Sequence, residues 1–206
     1  MNRRDFISSS AAIAIGLSFG TKQALAQTIV GVNEQEVLNS LQLQKCDLFC
    51  WAACLSTFFN FYGHPLDQMK IVLAMHGNTE CKGDPTVSAV VAALNMTWVD
   101  DNGVSFTSHI TSAIDHYRHV HTLTNRDIIN ELATGCPLFI ATVQHAMVLY
   151  RAEYVDNPLW PDAVIPAIRV ADPFPLFPQS HLLQGADITP VERGGNMLFC
   201  AAVSIA

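Results

Sequence analysis

Apolar positions along this chain change their rhythm at about residue 135. Before it they come in long blocks or at helical spacing, and after it in short runs and alternations. From Asp47 to Tyr62 the chain is apolar almost all round and stops at Gly63 with Pro65 behind it, which predicts a buried central helix. Leu66 to His76, closed by Gly77, predicts a second helix, and Pro85 to Leu94 a third that starts from Asp84 or the turn before it. Asn125 to Thr134, with Thr124 or Asn125 as cap and Gly135 as stop, predicts a fourth. Strands then follow at Pro137 to Val143, His145 to Tyr154, Ala167 to Ala171 and Met197 to Ile205, separated by clusters of Asn, Pro and Gly. Helices first and strands afterwards predict an α+β fold rather than a βαβ alternation. No linker, repeat or compositional shift divides the chain, so a single domain is expected after the leader.

The first 26 residues stand apart from that domain. Arg3 and Arg4 precede the apolar stretch Ala11 to Phe19, and Ala24-Leu25-Ala26 supplies a small-x-small cleavage signal. The run Arg3-Arg4-Asp5-Phe6-Ile7 resembles a twin-arginine export signal, with an ordinary Sec signal as the alternative. The apolar run is too short for a permanent span, which needs about 20 residues. The expectation is an export signal at 1–26, cleavage near Ala26, and a periplasmic or secreted domain at 27–206.

Charge and cysteine usage narrow the partners. The chain has 206 residues, of which 14% are charged, with 11 basic against 18 acidic side chains and a net charge of −7. Loss of the leader removes three basic residues and one acidic one, which leaves 8 against 17, a net −9. Such a surface excludes mechanisms that need a broad basic face for nucleic acid or anionic lipid. Peptides, proteins or small molecules are the expected partners. All six cysteines remain after cleavage, and outside the cytoplasm disulfides persist.

Candidate chemistry concentrates at Gln44-Lys45-Cys46-Asp47-Leu48-Phe49-Cys50-Trp51-Ala52-Ala53. A thiol at a helix N-terminus has its thiolate favoured by the helix dipole and by unpaired N–H groups, which makes Cys50 a candidate nucleophile. The same N–H groups can bind an oxyanion, and an amide side chain such as Gln44 can join them.

Gln44, five residues, then Cys50-Trp51-Ala52 resembles the active-site segment of papain-like cysteine peptidases. Cys50-Trp51-Ala52-Ala53 through Phe61-Tyr62-Gly63 is closer still to compact bacterial members with a Cys-Trp-Ala-Ala box. The resemblance implies a histidine opening a strand, and His145-Ala146-Met147-Val148-Leu149-Tyr150 has that form. It also implies a later polar residue that orients the imidazole, for which Asp172 in Val170-Ala171-Asp172-Pro173 is the match and Asn157 the alternative. It extends over roughly Gln44 to Pro173. On this reading Cys50 forms an acyl-thioester, His145 is the base, Asp172 the orienter and Gln44 an oxyanion donor. The implied fold is papain-like, with a helical N-terminal half packed against a C-terminal antiparallel sheet and the active site in the cleft between them. No cofactor and no metal is expected.

The resemblance also bears on the cysteines. Papain-like enzymes tie the segment beside the nucleophile to the following loop, which implies Cys81 as one partner and Cys54, or else Cys46, as the other. Cys136 and Cys200 are left as a second bridge or core residues. With only residues 27 to 43 between the leader and Gln44, a long inhibitory pro-segment is not expected. Two other functions are compatible with the motifs: a non-catalytic papain-like module that binds a peptide or cell-wall component, and an amide-transfer enzyme of the same fold. A metal- or redox-responsive protein built on Cys46, Cys50 and Cys54 is disfavoured, because cysteines at i, i+4 and i+8 lack the turn geometry of Cys-x-x-Cys sites.

Overall fold

The computed structural model describes residues 27–84, 86–156 and 159–206. The expected export signal, Pro85 at the start of the third expected helix, and Asn157 lie outside the described residues. The architecture is α+β: helices packed against a large antiparallel sheet.

Along the chain the elements are β1 (Gln27–Gly31), α1 (Glu34–Ser40), α2 (Cys50–Phe61), α3 (Gln68–His76), α4 (Ser88–Ala93), β2 (Thr97–Val99), β3 (Ser105–Asp115), β4 (Val120–His121), α5 (Asn125–Ala133), β5 (Leu138–Thr142), β6 (Ala146–Val155), β7 (Val164–Ala171), β8 (Ser180–Gln184) and β9 (Met197–Ile205). Two short 3-10 turns, Gly185–Ile188 and Val191–Arg193, join β8 to β9. The four helices and four strands expected from the pattern are all found, with ends shifted by a few residues. The helical first half needs amending, since α1 and the four strands β1 to β4 also lie before residue 125.

The sheet runs β2-β3-β9-β5-β6-β7-β8. Along one edge of β6, β5 pairs with its first half and β1 with its second, while β7 takes the other edge. β9, buried from Met197 to Val203, lies between β3 and β5 and joins the two parts of the sheet.

α2 packs on β5 and β6 and is flanked by α1, α3 and α4. Every residue from Trp51 to Phe59 is buried, which is why its sequence shows no polar face. Its two internal hydroxyls are satisfied: Ser56 donates to Leu66 O, and Thr57 donates to Ala53 O while accepting from Gln42 N. Gly77 ends α3 in the left-handed region, φ 71°, where its N–H reaches Leu73 O and a Cβ would be strained. α4 is capped from upstream, the Asp84 carboxylate accepting from Ser88 N and Val90 N.

Candidate active site

Sheet register and the position of α2 decide where the candidate residues fall. Cys50 is the first residue of α2, His145 immediately precedes β6, and Asp172 immediately follows β7. β6 and β7 are antiparallel neighbours with Val148 opposite Ala171, so the start of one and the end of the other lie at the same end of the sheet. The turn from β5 into β6 fixes His145 further: Thr142 N donates to His145 O at 2.8 Å, and Thr142 Oγ1 accepts from His145 N at 3.2 Å.

The imidazole of His145 is bound to a carboxylate and lies near a thiol. Its Nε2 donates to Asp172 Oδ1 at 2.6 Å, and Cys50 lines the same cavity as the ring. With Nε2 committed to Asp172, Nδ1 is the nitrogen left for the thiol. Burial disfavours the charged ring. Hydrogen bonds and negative charge from Asp172 and Cys50 outweigh it, so the pKa of His145 is raised from 6.5 to about 9. Asp172 is 1% exposed, and its Oδ1 also accepts from Phe174 N at 2.8 Å.

α2 carries no side-chain cap at its N-terminus. No side chain therefore claims the peptide N–H groups of its first turn, and Cys50 stands among them. Gln44 is buried in the loop before α2, where its backbone N–H donates to Pro173 O at 2.9 Å and ties the loop to the segment after Asp172. Its Nε2 donates one hydrogen to Cys46 O at 3.0 Å, which leaves a second hydrogen on that amide. The structure thus brings His145 and Asp172 into contact and Cys50 into the cavity beside His145, and ties Gln44 through its backbone to the segment after Asp172.

The disulfide joins Cys46 to Cys81, with Cα atoms 6.0 Å apart, and so corrects the first choice of Cys54. Cys54 lies one turn inside α2 and is fully buried, out of reach of the loop, whereas Cys46 lies in the surface turn before the helix. Burial, helped by the negative charges of Cys50 and Asp172, pushes the Cys54 thiol well above its usual range, and burial alone pushes Cys200 up to about 12. Both are packing residues with unreactive thiols. Cys136 is a free thiol too. Among the described residues no group of three or more His, Cys, Asp or Glu is placed to hold a metal ion.

A cavity of about 610 Å³ opens beside Cys50 and His145, with Trp51, Val87, Val90 and Leu198 in its lining. One wall is the loop from Cys81 to Asp84, held by the disulfide and by Trp51 Nε1, which donates to Lys82 O at 3.3 Å. A second cavity, about 650 Å³, is lined by none of the predicted residues.

Two neighbours of the site are not marked by the motifs. Phe174 sets its ring edge-on to His145, centroids 6.2 Å apart at 84°, and His181 on β8 brings Nδ1 to 3.7 Å from Asp172 Oδ2. Phe174 sits two residues past Asp172, a spacing that the Asp-Pro motif alone offers as a signal; His181 has no local signal.

No protein-family model and no curated protein sequence matches the chain. Among solved structures it is similar to the peptidase domain of Streptococcus ComA, a bifunctional ABC transporter involved in a quorum-sensing pathway, at 13% identity and a TM-score of 0.45 over 81% of this chain and 96% of that one. Among the described residues no helix is long and apolar enough to cross a membrane.

Proposed function

We propose that this chain is an exported cysteine peptidase with a papain-like domain at 27–206 behind an export signal at 1–26. The observation that carries the reading is the imidazole of His145, bound by the Asp172 carboxylate and lining one cavity with the Cys50 thiol at an uncapped helix N-terminus. The disulfide beside the nucleophile and the adjoining cavity support it as well.

In this reading His145 Nδ1 takes the Cys50 proton, giving a thiolate and imidazolium pair. The thiolate attacks the carbonyl carbon of a peptide bond, and the carbonyl oxygen becomes an oxyanion received by the Cys50 N–H and the remaining Nε2 hydrogen of Gln44. As the C–N bond breaks, the imidazolium protonates the leaving amine, and the acyl group stays on sulfur as a thioester. Water, deprotonated by His145, then attacks the thioester carbon. The C–S bond breaks, the carboxylic acid departs and the thiol is restored. Asp172 keeps the ring turned with Nδ1 toward the thiol throughout. The substrate is a peptide or protein lying in the cavity, and neither metal nor cofactor takes part in the scheme.

The test is alkylation of the purified protein by iodoacetamide across pH 4 to 9, read at Cys50 by mass spectrometry, together with hydrolysis of a peptide mixture. Reaction well below the ordinary thiol pKa of about 8.5, lost in His145→Ala, is expected. Cys50→Ala should lower hydrolysis by at least about 10³-fold. An ordinary thiol profile at Cys50 overturns the reading.

A further inference from the structure

Asp172 is a buried carboxylate with its two oxygens in unequal surroundings. Oδ1 accepts from His145 Nε2 and from Phe174 N, whereas Oδ2 is buried without a hydrogen bond. A lone carboxylate oxygen left bare in a buried site is costly, so the group facing it matters. That group is the His181 ring, with Nδ1 3.7 Å away.

The register makes this approach a property of the sheet. β7 and β8 are antiparallel with Val170 opposite His181 and Ala171 opposite Ser180. Side chains alternate along a strand, so Asp172 falls on the face of Val170 and His181, one diagonal step from His181. Asp172 N also donates to Gln179 O at 2.9 Å, which closes the hairpin and holds the two residues in step. The tautomer follows from the neighbours. Nδ1 of His181 faces two acceptors, Pro178 O at 3.3 Å and Asp172 Oδ2, so Nδ1 carries the hydrogen. That hydrogen is bonded to Pro178 O, and a ring rotation that closes the gap by about 0.5 Å turns it to Oδ2 instead.

We propose that His181 is a positioning residue: its Nδ1–H holds Asp172 Oδ2, fixes the plane of the carboxylate, and so keeps Oδ1 aimed at His145. Asp172 then sits between two imidazoles, His145 on the cleft side and His181 on β8. The titratable groups facing the carboxylate are those two rings together with the thiols of Cys50 and Cys54 on α2. This role rests on the peptidase reading of Cys50 and His145, because it has no purpose without a ring to aim.

The experiment follows the His145 ring by NMR across pH 5 to 10, alongside kcat and KM for peptide hydrolysis, in the purified protein and in His181→Leu and His181→Asn. The asparagine amide nitrogen stands where Nδ1 stands and cannot acquire a charge, so it retains the donor alone. His181→Leu should lower the His145 midpoint from about 9 by about one unit and kcat by about tenfold, with KM little changed. His181→Asn should keep both within about twofold of the parent, which is the rescue a merely structural role would not give. Near-UV circular dichroism checks the fold, and His181→Ala replaces the leucine variant if that one does not fold. A midpoint and kcat unchanged in His181→Leu overturn the proposal, as does an asparagine variant as impaired as the leucine one. If His145 in the parent titrates near 6.5 and Cys50 alkylates as an ordinary thiol, the peptidase reading itself fails and the role of His181 falls with it.

Discussion

His145 carries two opposing influences in one ring. Burial disfavours its charge, Asp172 and Cys50 favour it, and the balance leaves the pKa at about 9 against an ordinary 6.5. Because the folded-state value is the higher one, the stabilisation this ring contributes is fully present below about 6.5 and is lost as pH rises through about 9. Urea unfolding should therefore show stability falling across that window, and His145→Ala should remove this part of the slope; parallel slopes in the two proteins would refute the attribution. The residues of the site are unevenly legible in the sequence. Cys50 and Gln44 announce themselves by spacing, and His145 and Asp172 by the strands they border, since each is a local pattern. Phe174 and His181 reach the site through the β7–β8 hairpin, whose register no local pattern records. Cys54 misleads for the same reason, because spacing along the chain does not say which side of a helix is buried.

Helices are legible where their ends are punctuated. α5 is the clearest case: Thr124 Oγ1 accepts from Asp127 N at 3.1 Å while Asp127 Oδ2 accepts from Thr124 N at 2.9 Å, a reciprocal cap that the sequence shows as Thr-x-x-Asp. Thr124→Ala should lower the unfolding free energy by about 1 kcal/mol in urea titration, with activity unchanged because no residue of α5 lines the cavity beside Cys50. β3 shows what sequence patterning misses. Its eleven residues, Ser105 to Asp115, are rich in Ser and Thr, and an irregularity between Ile110 and Ser112 breaks the alternation that would have marked a strand. What makes it a strand is pairing with β9, which comes some ninety residues later. Likewise β8 follows a loop of three prolines, and its partner β7 rather than its own composition fixes it.

At the scale of the whole molecule, helical and sheet-borne groups are held against each other by a few long-range ties. The Cys46–Cys81 disulfide closes a loop of 35 residues between the turn before α2 and the wall of the cavity, worth about 3 to 4 kcal/mol by loop-closure entropy. The double variant Cys46→Ser/Cys81→Ser should lose stability of about that size in urea titration, and KM should rise more than kcat falls, because Trp51 still holds the loop through Lys82 O. Equal stability of the two proteins would show the bridge to be dispensable. The placing of β9 has a consequence in time. The strand that joins the two parts of the sheet is the last along the chain, yet it lies against β5, whose turn presents His145. At ribosomal rates of about 5 to 20 residues per second, the chain from Cys50 to β9 takes on the order of 10 s to make. Throughout that interval Cys50 exists without the strand that backs the turn of His145, so under the proposed reading catalytic competence waits for β9 to pair with β5.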